Sequence, residues 1–354
     1  MDLSGASQQI EVPFGADLRY LAIMAIPEGG EVSQRLCLRM EPAWLKSGEQ
    51  LVGDPGEQQS QTHVCTKCSQ RVFSGHGVGT FVFPNDGKPL VGPDTLVFRV
   101  QFRDCMFGIP ATSTLLPGLP KYVRVYASQG ADLSAAGWRL DVGVAVLSGV
   151  AVDDSYLGTA IGTAANLFAK AGVDLHMVGV VELSGVGEGP VSFGDGEHGM
   201  LDQLHVEALQ ELSRVAHSPF VPIIIVPCLQ ESDPVTGASD SIAGVSPRIP
   251  GLGHDHPYAS SVFVAVSAEC GSLPRGEAEA ESAAAERLGL IIAHELGHYL
   301  GLYHSDAEAS SHRLPGGHSN VMNSNVITLD PEQASWSDSQ CDVLRRHPEV
   351  MANQ

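Results

Sequence analysis

Residues 294–304 read His-Glu-Leu-Gly-His-Tyr-Leu-Gly-Leu-Tyr-His, and no other stretch of the chain restricts its folding so tightly. A helix places residues four apart on one face, so His294 and His298 can each offer a ring nitrogen to a single point, with Glu295 beside them. His304 cannot reach that point if the helix simply continues. Gly301 supplies the exit, because glycine enters positive φ without a Cβ clash and lets the chain turn back. The stretch therefore predicts a helix that ends in a glycine turn, with three imidazoles gathered round one site.

Three neutral imidazoles form a zinc ligand set that leaves the fourth tetrahedral position open. One catalytic Zn²⁺ is expected, held by His294, His298 and His304. Zinc lowers the pKa of water to about 7 and polarises carbonyl groups. Glu295 follows a ligand by one residue, about 100° round the helix, and is the expected general base and then general acid. The chemistry so defined is hydrolysis of a peptide bond. A closed structural site would recruit a fourth Cys or His, and the residues after His304 (Ser305, Asp306, Ala307, Glu308) hold no thiol. The alternative class is a non-catalytic binding or adhesion protein whose zinc site is structural or degenerate.

The motif resembles that of the metzincin zinc endopeptidases, H-E-x-x-H-x-x-G-x-x-H followed by a methionine-containing turn. Ser319-Asn320-Val321-Met322-Asn323 is similar to that turn, which makes Met322 the apolar floor under the imidazoles. Leu300-Gly301-Leu302 and Ser305 look like matrixins, and Gly301-Leu302-Tyr303-His304 is also similar to pappalysin-type enzymes. The interval from His304 to Met322 is long for a matrixin, and neither Tyr nor Pro follows Met322. The resemblance implies an α+β catalytic domain, a twisted mixed sheet carrying the active-site helix. Residues 241–246 fall where the clan has the edge strand bordering its cleft. Ile242, Ala243, Gly244 and Val245 are therefore expected to bind an extended polypeptide substrate by strand addition.

Organisation along the chain divides near residue 130. Short alternating segments at 18–26, 36–40, 79–83, 96–102 and 122–126 predict a β-sandwich-like domain over residues 1–130, and the small polar stretch 129–137 reads as a linker. The grammar then changes. Strands at 140–147 and 173–183 bracket an amphipathic helix at 153–171 capped by Asp153 or Asp154, and buried strands follow at 221–226 and 261–266. An alanine-rich segment from Glu277 leads into the His294 helix, and a helix near 331–346 closes a catalytic domain spanning residues 131–354.

With 354 residues, 43% of them hydrophobic, the chain is long enough for two cores. Forty-one acidic against 20 basic residues give a net charge of −21, which argues against nucleic acid and anionic membrane partners. No run is long and apolar enough to span a membrane, and residues 1–5 lack the pattern of a signal peptide. The sequence carries no signal for oligomeric state. Seven cysteines, an odd number, leave at least one unpaired thiol in a monomer and permit disulfides. These point to a secreted or cell-surface protein rather than a cytoplasmic one. Cys65-Thr66-Lys67-Cys68 reads as part of a disulfide framework with Cys37 and Cys105 in preference to half of a zinc site or a redox dithiol, and Cys228 and Cys270 are placed so that they could be bridged, with connectivity left open by the sequence.

Weaker signals have blander readings. His254-Asp255-His256 invites a second metal but reads as a solvated loop, and His312 and His318 lack helical register with His294. Calcium is a candidate for the acidic stretch Gly185 to Gly199, which has no EF-hand spacing and reads as a loop. Cys105 within Arg103 to Pro110 loosely resembles a zinc-capping pro-segment cysteine, with different spacing.

Overall fold

The computed structural model describes residues 7–16, 18–28, 36–40, 43–48, 50–52, 72–75, 77–83, 90, 92–104, 120–130, 137–150, 152–184, 190–194, 199–232, 238–251, 260–266, 281–305 and 319–353. They form a mixed α+β structure, mostly sheet, with four α-helices among the described residues.

The first strands are β1 (Ile10–Phe14), β2 (Tyr20–Glu28), β3 (Leu36–Arg39), β4 (Ala43–Leu45), β5 (Gln50–Val52), β6 (Val72–Gly75), β7 (Val78–Phe83), β8 (Asp94–Phe98), β9 (Gln101–Asp104) and β10 (Tyr122–Gly130). They pair in the orders β1-β8-β4-β5 and β10-β2-β7-β6, with β3 and β9 as a separate pair. Leu21, Ile23 and Ala25 occupy every second position of β2, so one face of that strand is continuous apolar surface. It meets Phe14, Leu96 and Phe98 of the other sheet in one buried cluster.

Two expectations change here. The run 96–102 is not one strand, because the chain breaks at Arg99 and Val100, where Ser7 and Val100 exchange hydrogen bonds. That break sends β8 and β9 into different sheets. Gln129 and Gly130, read as the start of a linker, are still strand, since β10 stays paired with β2 through Gly130, opposite Tyr20, and residues 131–136 lie outside the described residues.

The second set of elements is β11 (Trp138–Leu147), α1 (Asp154–Lys170), β12 (Val173–Leu183), β13 (Val191–Gly194), α2 (Gly199–Leu212), β14 (Val221–Val226), β15 (Leu229–Ser232), β16 (Ser239–Ile242), β17 (Gly244–Val245), β18 (Val262–Ala265), α3 (Glu281–Tyr299), α4 (Asp338–Arg346) and β19 (Val350–Ala352). The main sheet runs β12-β11-β14-β18-β17, with β19 beside β11. Neighbours are parallel except β17 and β19, which pair antiparallel. In β14, Val221, Ile223 and Ile225 face a core shared with α1 and α3, while Ile224 and Val226 face one shared with α2. A strand covered on both faces reads as an unbroken apolar run, which is why 221–226 lacks alternation.

Local sequence starts and stops these helices. The Asp153 carboxylate accepts from the Tyr156 N–H at 2.8 Å and caps α1. Ser337 and Gln340 form a capping box that starts α4, so the segment from 331 is not helical as expected. Helix α2 and the small β13-β15-β16 sheet have no counterpart in the expected elements, although the spacing of Leu201, Leu204, Ala208 and Leu212, all buried, is helical.

Helices α1 and α3 meet backbone to backbone at Gly289, where a Cβ would overlap the Ala160 carbonyl. Small-to-large changes in packed cores cost about 1–3 kcal/mol. Gly289→Ala is expected to fall at or above the top of that range, because the obstacle is backbone on both sides. A denaturant titration of that variant checks it.

Among the described residues, no helix is long and apolar enough to cross a membrane. Cys37 and Cys228 are disulfide-bonded and Cys341 is free. Cys65, Cys68, Cys105, Cys270, His254 to His256, His312 and His318 lie outside the described residues, as do Glu188, Asp195 and Glu197 of the candidate calcium stretch.

Candidate metal centre

From Leu288 to Tyr299 every residue of α3 is buried, which is how a helix inside a core must read. Besides the Tyr299 hydroxyl, three polar side chains lie in that stretch, His294, Glu295 and His298, and burying them is costly unless each is partnered. The His294 ring donates from Nδ1 to the Val321 carbonyl at 2.7 Å, and the His298 ring donates from Nδ1 to the Leu302 carbonyl at 2.8 Å. Because a carbonyl can only accept, both Nδ1 atoms carry the proton and both Nε2 atoms are bare in the neutral rings. Burial, then the neighbouring His294 and His304, hold the His298 imidazole well below the usual histidine range, and so neutral.

The two bare nitrogens point at each other and at His304 Nε2. The His294, His298 and His304 Nε2 atoms lie 3.1, 3.1 and 3.2 Å apart, a nearly equilateral triangle. Nitrogens about 2.0–2.1 Å from a tetrahedral zinc would stand about 3.3–3.4 Å apart, so the triangle has the size of one face of such a site. These three residues are the one His/Cys/Asp/Glu group among the described residues whose ligand atoms converge closely enough to hold a metal ion.

The glycine turn delivers the third ring. Gly301 has φ +99°, its N–H bonds the His298 carbonyl, and the Leu302 N–H bonds the Gly297 carbonyl. That pair of bonds is the Schellman ending of a helix. Leu302, whose carbonyl orients His298, is thus placed by the same turn that reverses the chain towards His304.

Met322 is fully buried, and its sulfur would lie 2.5 Å from a Cβ added at Gly297, between His294 and His298 on α3. It therefore lies against the helix backbone at the level of the rings. Its carbonyl accepts from the Ser305 N–H at 2.8 Å, and the preceding Val321 carbonyl orients His294. The turn is fixed in its own right: Asn320 Oδ1 accepts from the Met322 N–H at 2.9 Å, and the Asn320 and Gln340 amides exchange hydrogen bonds at 2.7 and 3.0 Å. Asn320 and Gln340 are not among the expected site residues. Their only sequence signal is the capping-box spacing Ser337 to Gln340.

Glu295 is 5% exposed, and its Oε2 has no hydrogen-bond partner. Burial pushes its carboxyl up to about 8, against the hydrogen bonds of Ser246, which pull it down. Edge strand β17 covers it: a Cβ on Gly244 would lie 2.7 Å from Glu295 Cγ and 2.9 Å from Oε1. Ser246 Oγ donates to the Glu295 backbone carbonyl at 2.6 Å, a contact that sequence reading missed because residues 246 and 295 are far apart in the chain.

The expected substrate-binding residues divide. Gly244 and Val245 form the antiparallel edge beside β18, and Ala243 accepts from the Ala265 N–H at 2.9 Å. Ile242 belongs instead to β16, opposite Leu229 in the small sheet. A single edge strand over 241–246 is therefore corrected to two short strands in different sheets.

No family model matches the chain, and no curated protein does. Among solved structures, a chain from the "Structure of a chaperone-substrate complex" aligns with TM-score 0.34 and 13% identity, covering 65% of this chain and 38% of that one. Metalloproteinase-II from Bacteroides fragilis aligns with TM-score 0.36 and 12% identity, covering 59% of this chain and 52% of that one. The chain thus spans at most about half the length of these two neighbours. Likeness at that level carries no assignment of family, and the chemistry that follows is read from the residues of the site itself.

Proposed function

We propose that the chain is a zinc-dependent endopeptidase of metzincin type, with His294, His298 and His304 as ligands and Glu295 as general base. The observation that carries this is the convergence of three Nε2 atoms at 3.1–3.2 Å, two of them on rings whose protons are committed to carbonyls on the far side. The Nε2 lone pairs of His294 and His298 repel at that distance, and a cation between them turns the repulsion into coordination. All-imidazole ligation in a compact tetrahedral face suits zinc.

A zinc ion held there supplies Lewis acidity, polarising a carbonyl and lowering the pKa of water to about 7. The rest is the work of the chain. Glu295, with Oε2 unengaged, takes a proton from water and passes it to the leaving amine. Ser246 and Gly244 hold that carboxylate against β17, and the edge of β17 offers backbone groups to an extended polypeptide. Met322 keeps the far side of the rings apolar. We read the protein as exported, a reading supported by the disulfides at Cys37 and Cys228.

Zinc analysis combined with mass-spectrometric profiling of a peptide library is the test. The expected result is about one zinc per chain and endoproteolytic cleavage that stops on chelation and returns with zinc. A chain that needs zinc to fold yet cleaves nothing would instead be the structural-site binding protein.

A further inference from the structure

Residues 249–251 form a strap beside the exit of α3, and each of its three successive carbonyls accepts from a side chain of a different part of the molecule. Tyr303, immediately before the ligand His304, donates its hydroxyl to the Ile249 carbonyl at 3.2 Å. Thr80, fully buried on β7, donates to the Pro250 carbonyl at 3.0 Å. His347, fully buried at the end of α4, donates from Nε2 to the Gly251 carbonyl at 2.9 Å.

The strap is also joined to the helix it lies against. The Gly251 N–H bonds the Tyr299 carbonyl at 2.7 Å, on the last residue of α3. A Cβ on Gly251 would run into the Tyr299 ring, so the backbone lies flat against that side chain. A Cβ built on Gly301 would lie 3.7 Å from Pro250 Cβ. Buried polar groups fixed this way admit one arrangement, because each carbonyl released would be left unsatisfied.

The partners of the strap are themselves tied together. Arg19, on the turn before β2, donates to the His347 carbonyl at 2.9 Å and to the Val350 carbonyl, and its guanidinium lies 4.6 Å from the Trp138 ring centre. Arg19 and Thr80 both belong to the N-terminal strand region. Nothing in the chemistry of the site requires that region, yet two of its buried polar side chains end on the strap or on the residue that holds it.

From this geometry we infer that the 249–251 strap fixes the aim of His304, and that the N-terminal strands, through Thr80, are a working part of the metal centre. Thr80, His347 and Tyr303 are positioning residues: they act on the ligand through the strap and the Gly301 turn. The inference rests on the metal reading above.

Thr80→Val keeps the shape of the side chain and removes the donor. Outer partners of metal ligands are typically worth 10–100-fold in affinity, and at one step further from the ring the expected effect is about tenfold. Zinc competition against a chromophoric chelator should show that weakening. The visible bands of the cobalt-substituted protein should shift as His304 is released, and Thr80→Ser should restore both. Phe98→Leu, a change in the N-terminal core away from the strap, should lower the unfolding midpoint and leave zinc affinity unaltered. The inference is overturned if Thr80→Val binds zinc with wild-type affinity and an unshifted cobalt spectrum, or if Phe98→Leu weakens zinc as much as Thr80→Val does. A wild-type chain that takes up neither zinc nor cobalt overturns the metal reading itself, a distinguishable result that removes the inference with it.

Discussion

Glu295→Gln is expected to retain zinc at wild-type stoichiometry while peptide hydrolysis falls about 10²–10⁴-fold, the range for losing a positioned general base. Glutamine matches glutamate in shape, so the packing of the side chain against Gly244 is undisturbed. What disappears is the ability to accept a proton. The loss should fall on kcat rather than KM, since the interaction is used on the way to the transition state. The substitution also removes a carboxyl that burial pushes up to about 8, so the variant should fold at least as well as the wild type. Cleavage rates on an internally quenched peptide, measured beside zinc content, decide the matter. Undiminished hydrolysis in a zinc-loaded variant would sink the mechanism.

Gly301→Val is the second large effect, and its cause is conformational. Gly301 has φ +99°, and the nearest atom to an added Cβ is 3.7 Å away, so crowding is not the obstacle. Left-handed backbone costs an L residue roughly 1–2 kcal/mol, and a β-branched one more. The chain can relieve that cost by abandoning the turn, which forfeits the Leu302 carbonyl that orients His298 and the approach of His304. A loss of about 100-fold in zinc affinity is expected, together with a lower unfolding midpoint. Gly301→Asn should be milder on both counts, because asparagine visits the left-handed region more readily. Chelator competition and thermal melts of the two variants check the ranking. Equal behaviour of Val, Asn and glycine would mean that the turn does not aim the ligand.

Legibility followed the range of the interaction. Asp153 as a cap, the β14 run and the Gly301 turn were readable because each depends on residues a few positions apart. The split between β8 and β9 was not, because alternation over 98–103 continues through a break whose partner, Ser7, lies far back in the chain. Helix α2 has helical spacing, but its polar surround and the buried His205, bonded to Ser261 at 2.7 Å, blurred the pattern. Ile242 moved to another sheet because strand membership depends on which neighbour is present, here Leu229 of β15.

The division at the site is similar. The convergence of His294, His298 and His304 was legible in the sequence alone, since helical periodicity and the glycine at 301 are enough to bring those rings round a point. Tertiary structure decided which nitrogen the His294 and His298 rings present, through carbonyls at Val321 and Leu302. It also set Met322 against Gly297 and brought Ser246, Thr80 and His347 to the site or its strap. Those contacts join residues from distant parts of the chain. Hydrogen bonds of that kind leave no periodic trace, because they depend on how packed layers meet rather than on spacing along one element.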